Sequence, residues 1–179
     1  MLRQIQRAVT ATCRDNNGMA LVEFAILFPV LLVMYTGIFT LTDAISCNRK
    51  VTTTARAVTD LATRYSSLSE AEATTIVNAS AQVLYPYSSS NSKIVLSEIR
   101  VVNATQATVV WSKANTGTAH TAGSTISIPA NTAATDTYLI LGEVRYTYTP
   151  SIWFGSTAPF NLADSILMLP RISTQVPLS

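Results

Sequence analysis

The stretch from Gly18 to Thr42, GMALVEFAILFPVLLVMYTGIFTLT, decides how this chain is organised. From Phe24 to Thr42 it runs for 19 residues without a charge. Wound as an α-helix such a run is about 28 Å long, close to the roughly 30 Å hydrocarbon core of a bilayer. A buried core helix is the alternative, but globular core helices seldom stay uncharged on every face for about five turns. Residues 19–43 are therefore read as a transmembrane helix, with Pro29 placed to kink it rather than end it.

Working outward, residues 1–18 form a short basic leader in which Arg3, Arg7 and Arg14 stand against Asp15. Its net charge of +2 equals that of all 179 residues, so everything after Gly18 is formally neutral. Arg49, Lys50 and Arg56 follow the span as closely as the leader arginines precede it, so positive charge alone leaves the orientation open. Hydrophobic residues make up 48% of the chain and charged ones only 12%, about half the usual globular share. This balance argues against a nucleic-acid binder relying on phosphate neutralisation and against an acidic disordered tail. Hydroxyls take the place of charge, with 25 threonines and 18 serines in the chain and a concentration of 12 of them between Thr105 and Thr137.

Glu23 lies inside the start of the apolar run, five residues after Gly18. Insertion scales charge roughly 2.5–3.5 kcal/mol for an acidic residue at mid-membrane, and less near the interface. The plain explanation is a carboxylate at headgroup level, favoured by the positive end of the helix dipole. The functional one is a carboxylate awaiting a partner. In this arrangement Gly18-Met19 and Glu23-Phe24, set between a basic leader and an immediate apolar run, resemble the class III signal of type IV prepilins. The closest resemblance is to TadE-like pseudopilins of the tight-adherence (Tad, or Flp) pilus system. It implies cleavage between Gly18 and Met19 by a prepilin peptidase, which leaves Met19 as the first mature residue and Glu23 as the fifth. It also implies a subunit-assembly role for Glu23 and Phe24, since the new α-ammonium of a neighbouring subunit can compensate the Glu23 carboxylate and set register.

Beyond the span, Ala44, Asn48, Val51, Ala55, Val58, Ala62 and Tyr65 recur at alternating steps of four and three, a helix stripe. A single helix from Phe24 through Tyr65 is predicted, with the stripe from Val51 packing on its own domain. Ser69-Glu70-Ala71-Glu72 is a capping box that opens a second amphipathic helix presenting Ala73, Ile76, Val77, Ser80, Val83 and Leu84, and ending near Tyr85-Pro86. Residues 44–86 thus form a helical stem, and Ser88 to Ser92 read as a loop or hinge. From Lys93 the period becomes two: Ile99 and Val101, Val109 and Trp111, and Val144, Tyr146 and Tyr148 alternate with polar residues. Residues 87–179 are read as a small antiparallel β-sheet head of three or four strands with one face on the helices, making the fold α+β. The Thr/Ser-rich stretch 115–137 is expected to be an exposed loop or interaction surface holding a short strand at 125–128. The segment from Asn161 to Arg171 resembles a TadE-like final strand leading into Pro-Arg.

Parts for catalysis are few. His120 is the single histidine, expected to be solvated in the Thr-rich loop, and no G-x-S-x-G elbow, Gly-rich phosphate loop or metal-ligand cluster accompanies it. No catalytic residue, metal or cofactor is expected. Cleavage after Gly18 would discard Cys13 and leave Cys47 as either a buried small residue or a thiol for an intersubunit bridge. The segment from Ala44 to Cys47 also faintly resembles a lipobox, which would place the mature end at Cys47. Taken together, the resemblance implies a structural subunit of the bacterial inner membrane, single-pass with a periplasmic head, entering the extracellular pilus on assembly. Its implied partners are the prepilin peptidase, other pilin and pseudopilin subunits, the inner-membrane Tad assembly platform and membrane lipid. The alternative is an uncleaved single-span anchor whose head binds a partner or cell-envelope ligand.

Overall fold

In the computed structural model residues 16–150 and 159–179 are described, so the leader arginines and Cys13 lie outside the described residues. The apolar run, free of interior breakers apart from Pro29, forms helix α1 over Asn16–Thr63. It begins earlier than Phe24 because Gly18 to Val22 hold nothing that stops a helix, and it ends two residues before Tyr65. There the amides of Arg64 and Tyr65 bond three residues back, to Leu61 O at 3.2 Å and Ala62 O at 3.3 Å, tightening the last turn. The described residues divide between Thr42 and Asp43 into two compact units. Within the first, the hydroxyls of Thr36 and Thr42 donate to the carbonyls of Leu32 and Ile38, each at 2.9 Å, so these polar side chains cost little in an apolar setting.

In the second unit the α1 stripe Cys47, Val51, Ala55, Val58 and Ala62 is fully buried. Asn48 is exposed, a correction to the sequence stripe, because the burial line runs through Cys47 instead. Tyr65 is exposed too, since it lies past the end of the helix. Helix α2 spans Glu70–Ser80 and opens on the predicted capping box: Ser69 N donates to Glu72 Oε2 at 2.8 Å, and Glu72 N to Ser69 Oγ at 3.2 Å. The backbone hydrogen bond from Ser69 holds the Glu72 carboxyl below its ordinary range. The chain then tightens to a 3-10 turn over Ala81–Leu84, and its three-residue period buries Ala81 and Leu84 and leaves Val83 half-exposed.

Five strands follow: β1 Ser92–Asn103, β2 Gln106–Ala114, β3 Thr125–Ser127, β4 Tyr138–Tyr148 and β5 Phe160–Met168. They form one antiparallel sheet in the order β3-β2-β1-β4-β5. Ser88 to Ser92 is a short 3-10 turn with Ser92 already in β1. One sheet face, with Ile94, Leu96, Trp111, Ile140, Val144, Tyr146 and Tyr148, packs on the helices. The other face, with Ile99, Val101, Val109, Leu139 and Leu141, is also covered, by Ile126, Ile128 and Ala133 of the 115–137 segment. That segment is thus in part a lid on the second face, not a free loop. Val109 and Trp111, which strict alternation places together, lie on opposite faces. A register shift pairs Glu98 with Trp111 but Ile99 with Val109, so Val110 is extra and reverses the alternation.

Three polar groups fasten the head. Asp43 accepts from Tyr87 Oη at 2.8 Å and Tyr148 Oη at 2.5 Å, and burial followed by these bonds raises both phenols above their ordinary range. Glu98, 1% exposed, accepts from Val176 N at 2.5 Å and from the Trp111 indole at 3.1 Å. Trp111 also donates to Val176 O at 2.8 Å, so the C-terminal tail is gripped from both sides. The tail continues to Leu68, whose amide donates to Pro177 O at 2.9 Å, while Ser179 N returns to Leu68 O at 2.8 Å. Arg171 pairs with Asp60, which also holds Arg64.

Gly142, register partner of Leu96 and Ile166 at mid-sheet, sits where α1 passes closest. A Cβ there would strike the Thr59 hydroxyl and stand 2.9 Å from Val58 Cγ1 and 3.1 Å from Ala55 O. Gly142→Ala is expected to cost about 1–3 kcal/mol by overpacking, read as a lower urea midpoint in detergent-solubilised protein. Desolvation raises the Glu98 carboxyl above its ordinary range. Between the unfolded and folded values the native state then binds more protons, so stability is fullest below the ordinary carboxylate value and falls as pH rises through the folded one. Glu98→Gln should flatten that fall in urea titrations run from the ordinary carboxylate value upward, while weakening the fold because one donor then faces an amide NH2.

Candidate processing and assembly site

Gly18, Met19, Glu23 and Phe24 all lie on the first turns of α1, each exposed. Gly18 is not held by packing: a Cβ placed on it would meet nothing within 4 Å, and its backbone is not in the left-handed region. The fold therefore gives no steric reason for glycine at this position, in contrast to Gly142. Phe24 and Phe28 stack along one side of the helix with ring centroids 5.5 Å apart, four residues being about one turn.

The surface around Glu23 is apolar in every direction. Leu21, Phe24, Ile26, Leu27 and Val30 are each at least half exposed, and the most apolar 18-residue window of the helix has no buried residue. Among the described residues this is the one helix long and apolar enough to cross a membrane. Glu23 has no ion-pair partner among the described residues, whose ion pairs fall at Asp60, Glu70, Asp136 and Glu143. An unpartnered carboxylate on an apolar helix can accept hydrogen bonds or pair with a cation, and in a low-dielectric setting it is stable only if it does.

Cys47 lies in the core of the second unit, fully buried and the free cysteine of the described residues. Burial, and then the Asp43 carboxylate, push its thiol up to about 11, away from thiolate reactivity. His120 is not simply solvated, as the sequence suggested. Its Nε2 pairs with Glu143 Oε2, its backbone amide donates to Ser112 Oγ at 3.1 Å, and its side chain is 31% exposed. Sequence reading missed this pair because Glu143 is separated from His120 by 23 residues, which include the rest of the lid segment. The only available signal was that Glu143 occupies a polar position on a strand that otherwise alternates. Among the described residues no group of three or more His, Cys, Asp or Glu side chains is gathered for a metal.

Comparison with the curated proteins gives no match, and comparison with the solved structures gives none either. A family model does match: residues 18–60 fit the one described as TadE-like protein, starting at Gly18 and running through Glu23 into the buried stripe of α1, which makes the chain consistent with a TadE-like protein of the Tad pilus system.

Proposed function

We infer that this chain is a minor pilin-like structural subunit that is cut after Gly18 by a prepilin peptidase and then takes part in assembling a Tad pilus and in surface adhesion. TadE-like proteins are a structural family, and no catalytic step is assigned. The observation that carries the reading is Glu23, a carboxylate without a partner among the described residues on an otherwise apolar, uncovered helix. Cleavage would create the missing cation, the α-ammonium of Met19, and a neighbouring subunit's ammonium would both neutralise Glu23 and fix the stagger between helices. Gly18 supports the same reading, because an exposed glycine that the fold does not need is what a peptidase subsite for a residue without a side chain would require. The helix stays in the inner membrane until assembly, with the head on the periplasmic side. Other pilin and pseudopilin subunits and the Tad assembly platform are its partners there. A mature end at Cys47 would remove Asp43, which anchors two tyrosines of the head, and would expose a residue now in the core.

N-terminal sequencing of membrane-extracted protein should read Met-Ala-Leu-Val-Glu, and Gly18→Leu should accumulate the longer precursor on immunoblots. A mature chain that starts at Met1 would establish the uncleaved anchor instead, and one starting at Cys47 a lipoprotein. Glu23→Ala should be processed at the normal site but reduce sheared-pilus yield by about tenfold or more, the scale of a lost charge-pair contact of about 1.4 kcal/mol or more. Undiminished piliation in that variant would remove the ammonium pairing from the mechanism.

A further inference from the structure

On the lid side of the sheet, Lys93 of β1 and Arg145 of β4 are direct register partners, so their side chains leave the same face. Like charges opposite one another on paired strands repel, and a fold gains nothing by placing them so. Neither is neutralised by an acid among the described residues. The ion pairs of lysine and arginine there use Arg64, Arg100, Lys113 and Arg171, and the nearest carboxylate in register, Glu143, makes its short contact with His120. Lys93, Val95, Thr118, His120, Glu143 and Arg145 together line a cleft of about 160 Å³.

The wall of this cleft is built rather than incidental. Asn115 Oδ1 accepts the Ile94 amide at 2.7 Å, and Thr116 Oγ1 donates to Ser92 O at 3.0 Å, tying the start of the lid to the start of β1. The turn then passes through Gly117, φ 73°, so close beneath Lys93 that a Cβ there would stand 3.4 Å from Lys93 Cε. Past Arg145 a shallow groove of about 760 Å³ continues along the sheet, lined by Asn91, Thr116, Thr147 and Asn161 among others. Its walls offer hydroxyls and amides, with Thr147 Oγ1 already donating to Asn161 Oδ1 at 3.0 Å.

We propose that the Lys93–Arg145 cleft binds the carboxylate of an acidic sugar, whose neighbouring sugar rings lie in the hydroxyl- and amide-lined groove. The guanidinium fork and the ammonium supply charge-assisted hydrogen bonds to the carboxylate. The groove supplies the neutral donors and acceptors that sugar hydroxyls need. A lipid tail would need apolar side chains, and Ala163 is the one apolar residue among those lining the groove. An added peptide strand would pair along the backbone of the edge strand β5, whereas Lys93 and Arg145 stand on the face of the interior strands β1 and β4. The inference deepens the adhesion part of the reading above, but it concerns the head alone and is tested on purified protein, so failed processing at Gly18 leaves it standing.

The test is calorimetric titration of the full chain in detergent micelles with trigalacturonate, maltotriose and inorganic phosphate. Trigalacturonate should bind and maltotriose should not, and Lys93→Gln and Arg145→Gln should each weaken trigalacturonate about tenfold or more. Asn161→Ala should weaken it less while leaving phosphate unaffected. Thermal unfolding of Lys93→Gln and Arg145→Gln should show no loss against the parent, since neither side chain makes an ion pair that the fold uses. Absence of trigalacturonate binding at millimolar concentration, or binding unchanged in the double variant, overturns the site. Phosphate binding as tight as trigalacturonate overturns its assignment to a sugar.

Discussion

The head is organised around the place where α1 runs over Gly142. Because that residue has no side chain, the helix comes close enough for Ala55, Val58 and Thr59 to rest against the backbone of β4. A larger residue would lift the helix off the sheet and open the contact along the stripe from Cys47 to Ala62. The buried threonines of α1 belong to the same arrangement. Thr59 turns its hydroxyl onto Ala55 O at 2.7 Å, so a polar side chain can occupy the tightest point of the interface without an unmet hydrogen bond. Helix α2 and the C-terminal tail then close over the flank of this helix and sheet pair.

Polar groups inside the head are all answered. Among the described residues no buried side-chain nitrogen or oxygen lacks a hydrogen-bond partner. Glu98 holds the tail and Trp111, and Asp43 holds Tyr87 and Tyr148. Two features depart from this economy, and both carry functional readings. Glu23 is a carboxylate with no partner among the described residues on an apolar helix, and Lys93 faces Arg145 with no acid between them. In each case the chain keeps a charge that its own fold does not use, which is the condition under which an external partner gains most.

Elements whose signal is local were legible in the sequence. The apolar run marked the first helix, Ser69 and Glu72 marked the start of α2 through a capping box that needs only four residues, and period two marked the strands. Errors came where a distant contact decides. Asn48 and Cys47 are both compatible with a helix stripe, and only the position of the sheet selects Cys47. The bulge at Val110 cannot be seen in β2 alone, because it is defined by what stands opposite on β1. The shift to a 3-10 turn that buries Leu84 instead of Val83 depends on the core beneath it.

The same division holds for the sites. Gly18, Glu23 and Phe24 lie within one short stretch, and the proposal built on them rests on order along the chain alone, whereas the membrane-length helix and the α+β class were legible in the sequence and are present in the structure. The pairing of His120 with Glu143, the apposition of Lys93 with Arg145, and the grip of Glu98 on Val176 join residues 23, 52 and 78 positions apart. Those were decided only by the tertiary structure. Strand register and the path of the lid set which distant side chains share a face, and register follows from the packing of both sheet faces at once rather than from any one segment.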